Sequence, residues 1–113
     1  MGLVPMDFDD IVTSTSVDLK TGVTKISFDA KKSDHTVWIR STLQKSMTAG
    51  GWNELCVLPS GFRPSNILYT LAVNSTDDEA IEMKIEADGT VAVWPKTATG
   101  ARNITINAVF FDI

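Results

Sequence analysis

Apolar and polar residues alternate with a period of two along nearly the whole chain, and no stretch repeats its apolar residues at helical spacing. Ile11, Thr13, Thr15, Val17 and Leu19 fall on one face of a first expected strand, and Lys20, Thr21 and Gly22 follow as a turn. Residues 23–30 form a second strand, with Ile26, Phe28 and Ala30 together on one face, and residues 31–34 read as a polar break. Residues 36–42 form a third strand that sets Val37 and Ile39 against Trp38 and Arg40, and residues 43–51 read as a loop. Residues 52–58 and 66–74 are further strands; in the latter Ile67, Tyr69, Leu71 and Val73 line one face, and the other face is smaller and more polar. A polar turn covers residues 75–78, residues 79–87 and 90–94 form a hairpin, residues 95–100 a loop, and residues 102–113 a closing strand. Short strands at regular spacing with no helix predict an all-β barrel or sandwich.

The hairpin admits two registers. A two-residue turn at Asp88-Gly89 would pair Ile85 with Ala92 and turn Val91 and Val93 onto the face of Glu82, Lys84 and Glu86. A three-residue loop of Ala87, Asp88 and Gly89, with Gly89 in the left-handed bulge position, pairs Ile85 with Val91 and Met83 with Val93. This second register gathers Ile81, Met83, Ile85, Val91 and Val93 on one face and is preferred, because a buried face fixes strand pairing. It turns Trp94 outward beside Glu82 and Lys84. In the closing strand Ile104, Ile106, Ala108 and Phe110 share one face and Val109 and Phe111 the other, so the strand is expected to be covered on both sides.

The length, 113 residues, suits one domain, and no linker or repeat divides it; residues 1–10 read as a connector and residues 11–113 as a single β domain. Net charge is -4 with Lys and Arg scattered, which argues against nucleic acid and anionic membrane surfaces as partners. No apolar run approaches the ~20 residues of a spanning helix, and the first residues lack the basic and apolar segments of a secretory signal. Charged residues make up 21% of the chain, a little under the usual ~25%, which hints at a surface covered by a partner. The single cysteine, Cys56, lies in an apolar run and reads as a buried core thiol, so neither an internal disulfide nor a thiolate metal site is available.

The stretch "GGWNELCVLPSGFRPSN", residues 50–66, joins two strands through Pro59, Gly61 and Pro64. Neither proline can donate to a ladder, so the chain leaves the sheet there. Phe62 is expected to plug the core below the turn and Arg63 to bond carbonyls or a carboxylate. No nucleophile has a base beside it, so the stretch reads as a rigid corner joining two sheets.

This corner, the later "IEMKIEADGTVAVW" and the closing "NITINAVFFDI" resemble, in that order, the C-terminal head domains of phage tail-fibre and baseplate receptor-binding proteins. The resemblance covers residues 50–113; residues 1–49 match no motif of the family. It implies an antiparallel β-barrel or jelly-roll-like head, usually a homotrimer, held among other tail or baseplate proteins at the distal tail of the virion. It further implies binding to host cell-surface polysaccharide during adsorption. The corner is structural in that family and transfers no binding residue.

Saccharide sites pair an aromatic platform with short polar side chains. Trp94, with Lys96 nearby, is the foremost candidate, its alternative being subunit-interface packing. Trp38, with Asp34, His35 and Arg40 around it, is the second, its alternative a half-buried sheet residue. Trp52 and Asn53 read as core packing. His35, the only histidine, has no partner at catalytic spacing, and Asp7, Asp9 and Asp10 match no calcium loop. The run Asp77, Asp78, Glu79 reads as a solvated turn. Neither catalysis, a metal nor a cofactor is expected.

Overall fold

The computed structural model describes residues 11–113, so the expected connector lies outside the described residues. Nine strands follow in order: β1 (Ile11–Ser14), β2 (Asp18–Leu19), β3 (Thr24–Ser33), β4 (Thr36–Met47), β5 (Asn53–Val57), β6 (Leu68–Asn74), β7 (Glu79–Ile85), β8 (Thr90–Trp94) and β9 (Thr99–Phe111). All pairings are antiparallel, and the strands form one sheet in the order β1-β3-β4-β9-β6-β7-β8-β5-β2. The all-β, antiparallel expectation holds.

The sheet must curl. Its two edge strands, β1 and β2, are consecutive in sequence and separated by residues 15–17 alone. The four steps from Ser14 to Asp18 reach at most about 15 Å. A flat sheet of this many strands would hold its edges roughly 38 Å apart. The result is a half-barrel whose concave face carries the core: Phe28, Ala30, Val37, Ile39 and Leu43 from the β3–β4 side, Ile104, Ile106, Ala108 and Phe110 from β9, and Ile81, Met83, Ile85, Val91 and Val93 from the hairpin. Cys56 is buried among them, and burial pushes its thiol up to about 12, which keeps it an inert thiol.

The β7–β8 hairpin has the three-residue loop. Ile85 pairs with Val91 and Met83 with Val93. Glu86 N–H donates to Thr90 O at 2.9 Å and Gly89 N–H to Glu86 O at 2.8 Å, with Gly89 at φ 93°. The Asp88 carboxylate accepts the Thr90 N–H at 2.9 Å, and that bond holds its pKa below the usual value.

Several sequence expectations change in the structure. The first strand is two, because residues 15–17 cross from one sheet edge to the other. The polar break at residues 31–34 is absent: β3 runs through Ser33, and Asp34 and His35 alone make the turn, with Asp34 at φ 56°. Polar residues suffice there because the convex face is solvated. Likewise β4 continues to Met47, since Leu43 and Met47 alternate inward opposite β9, and the loop is confined to residues 48–52. Ile26 leaves the face of Phe28 and Ala30 because the ladder slips between Lys25 and Ser27, which exposes it.

The proline corner does not join two sheets. It carries the chain from β5 to β6, which flank the β7–β8 hairpin in a single sheet, so it must pass over that hairpin's closed end. Phe62 is buried beneath it, as expected. Leu58 N–H donates to Gly89 O at 2.9 Å, and Arg63 Nε–H donates to Leu58 O at 2.9 Å. A Cβ on Gly89 would lie 2.7 Å from Arg63 Nε and 2.9 Å from Leu58 O. Replacing Gly89 by Ala therefore combines a left-handed backbone with a steric clash and is expected to cost about 1–3 kcal/mol in denaturant unfolding. Gly22→Ala meets the same positive φ but nothing within 4 Å, and is expected to cost less. Equal losses for the two variants would contradict the packing role of Gly89.

Candidate functional site

Two of the six expected saccharide-contacting residues come together. Trp94 ends β8 opposite Glu82 of β7, which in turn pairs with Leu71 of β6, so all three lie on the convex face. Pro95 then ends the ladder, leaving the start of β7 without a β8 partner. Between that part of β7, residues 95–98 and the start of β9 lies an open groove of about 920 Å³. Trp94 and Lys96 line it with Leu71, Glu79, Glu82 and Thr99. Thr99 Oγ1 is itself buried behind the lining and has no protein partner among the described residues.

One end of the groove is held by ion pairing. Arg102 Nε–H donates to Asp77 Oδ2 at 2.6 Å and Asn74 Nδ2–H donates to the same oxygen at 3.0 Å. The Arg102 bond first, and the Asn74 bond next, hold the Asp77 carboxyl below the usual carboxylate range. The β6–β7 turn is further tied to β9: Ser75 N–H donates to Asn103 O at 2.8 Å and Asn103 N–H to Thr76 Oγ1 at 2.8 Å. The turn is solvated as expected, with Asp77, Asp78 and Glu79 exposed, and it is also anchored to β9; Asp77 lines the groove. The signal missed in the sequence is Arg102, placed beside Asp77 by the pairing of β9 with β6.

Trp52 is not core packing. It is half-buried on the convex surface, where its ring meets Trp94 edge-on at 5.4 Å and 84° and lies 6.4 Å from Tyr69. Lys84 Nζ stands 4.7 Å over the Trp52 ring and pairs with Glu86 at 2.9 Å. Trp94 keeps 37% and Tyr69 66% of its surface exposed, so the three rings form an aromatic ledge beside the groove. Asn53, by contrast, is buried: its Oδ1 accepts the Thr48 N–H at 2.9 Å, and its Nδ2 donates to Thr48 O and Gly51 O at 2.9 and 3.1 Å.

The other four candidates lie on the β3–β4 hairpin, in the far part of the strand order. Trp38 is exposed on the convex face, paired with Lys31 on one side and Val109 on the other. Arg40 shares that face and lines a shallow hollow of about 380 Å³ with Asp29, Thr42 and Asn107. Asp34 and His35 form the hairpin turn. His35 Nδ1 lies 2.9 Å from Asp112 Oδ1, and Lys32 also pairs with Asp112. Those bonds, Lys32 first, hold the Asp112 carboxyl below its usual range. His35 thus ties the hairpin tip to the end of β9.

No protein-family model matches the chain, and no curated protein matches it in sequence. Among the described residues no group of three or more His, Cys, Asp or Glu could hold a metal ion, and no helix is long and apolar enough to cross a membrane.

The lowered carboxylates set the acid response. A group whose folded pKa is depressed stabilises the fold fully above its unfolded value, near 3.8 for Asp77 and Asp112, and loses that contribution as pH falls through the lower folded value. The melting temperature of the wild type is therefore expected to fall below about pH 4 more steeply than that of the Asp77→Asn, Asp112→Asn double variant. Parallel curves for the two proteins between pH 5 and pH 2 would contradict the assignment.

Proposed function

We propose that this chain is the receptor-binding head of a phage tail fibre or baseplate, and that it recognises host cell-surface saccharide non-covalently during adsorption. The observation that carries this reading is the ledge of Trp52, Trp94 and Tyr69 beside a groove lined with carboxylates and an ammonium. Exposed ring faces meet the C–H faces of sugars, while charged and hydroxyl groups bond their hydroxyls. The antiparallel half-barrel and the proline corner fit the head domains that the sequence resembles. Sites of this open kind are individually weak. Three in a trimer would gain about 10²–10⁴ in avidity where the geometry permits simultaneous engagement.

A second reading is a structural module that trimerises within the tail and binds no sugar. The convex surface favours it too: Tyr69, Leu71, Val73, Trp38, Val109 and Phe111 are all exposed. On β6 the more apolar face is the outer one, and on β9 Val109 and Phe111 face out while Ile106, Ala108 and Phe110 are buried. Both readings require a partner over this surface and expect a trimer. Sedimentation at micromolar concentration is expected to give three copies, and a stable monomer would defeat the trimer in both.

Adhesion separates them. The fluorescently labelled chain is expected to bind intact host bacteria and to lose binding when surface polysaccharide is stripped. Trp94→Ala is expected to weaken binding about tenfold or more, the loss typical of a central aromatic contact. No binding to any plausible host, or binding indifferent to stripping, would leave the structural module as the better account.

A further inference from the structure

The charges around the groove bear on which saccharides it accepts. Five charged residues line it: Asp77, Glu79, Glu82, Lys96 and Arg102. Asp77 and Arg102 neutralise each other at 2.6 Å. Glu79, Glu82 and Lys96 form no ion pair among the described residues. Two unpaired carboxylates thus face one unpaired ammonium, on a chain whose net charge is -4. The nearby Lys84 is already engaged, paired with Glu86 and set over Trp52.

Glu82 has the most telling position. It lies directly across the ladder from Trp94, with Leu71 on its other side. A ring face and a carboxylate side by side are the two groups that attract an ammonium, the first through its quadrupole and the second through its charge. The Trp52 ring already holds an ammonium, that of Lys84, so the ledge displays this chemistry within the protein itself. Lys96, on the loop, offers the opposite polarity to a hydroxyl or anionic group further along the ligand.

Resting on the saccharide reading above, we propose that the groove selects a glycan unit with a free ammonium group, an amino sugar that is not N-acylated, seated between the Trp94 ring and the Glu82 carboxylate. The test is calorimetric titration of the full chain with a glucosamine trimer and with its N-acetylated counterpart, at low salt and at a pH where the amine is protonated. The glucosamine trimer is expected to bind about tenfold tighter, the scale of a partly desolvated cation–π contact. Glu82→Gln is expected to abolish that preference, the glucosamine trimer losing about tenfold more affinity than the N-acetylated one. Raising the salt is expected to shrink the preference in the wild type. Equal binding of the two trimers, or a preference that survives Glu82→Gln, would overturn the proposal and leave saccharide binding standing. Binding of neither trimer would overturn this proposal; loss of polysaccharide-dependent adhesion in the cell assay is the separate result that would overturn the broader reading.

Discussion

The fold turns on one close contact, the approach of Gly89 to the corner at Leu58 and Arg63. Leu58 is bonded through its N–H to Gly89 O and through its carbonyl to Arg63 Nε, and no side chain fits at Gly89 between them. This contact pins the hairpin loop under the chain that crosses from β5 to β6. With the loop held at three residues, Met83, Ile85, Val91 and Val93 all face the core. A one-residue slip would exchange the faces of β8 and bury Trp94 against the concave side. The outward ledge is thus a consequence of a packing constraint at the opposite end of the same hairpin.

The second constraint is closure. Because residues 15–17 bridge the sheet edges, the sheet curls into a half-barrel and buries one face only. The convex face keeps an unusual apolar content, with Tyr69 66% and Phe111 64% exposed. Isolated exposed apolar residues are ordinary, but six on neighbouring strands of one face make a patch of the kind the proposed trimer would cover. The groove lies beside this patch, where Pro95 stops β8 and Asp77 and Arg102 brace the turn. A trimer that covers the patch would leave aromatic and charged groups at its margin available to a ligand.

Much of this was legible in the sequence where alternation is strict. The hairpin register followed from the parity of Ile81, Met83 and Ile85, and the two faces of β9 from that of Ile104 to Phe111. The exit of the chain from the sheet at the corner was legible because prolines exclude ladder positions, but its return to the same sheet across the β7–β8 hairpin was not. Long-range neighbours were not. Trp52 sits next to an apolar run and looks like core until β5 is placed beside β8, which brings its ring to Trp94. Arg102 and Asp77 are separated in sequence by 25 positions, and nothing local joins them. The lengths of β3 and β4 were underestimated because their polar residues face solvent across a curled sheet. Of the six candidate site residues, Trp94 and Lys96 share a groove, while Asp34, His35, Trp38 and Arg40 belong to a separate hairpin.

The three tryptophans provide the most direct test of where a saccharide docks, since each contributes one indole N–H signal to a nitrogen-correlated spectrum. Titration of the isotope-labelled chain with purified host surface polysaccharide is predicted to shift the Trp94 and Trp52 signals together and leave Trp38 in place. Movement of Trp38 alone, or of none of the three at saturating polysaccharide, would contradict the assignment of the ledge and groove as the binding site.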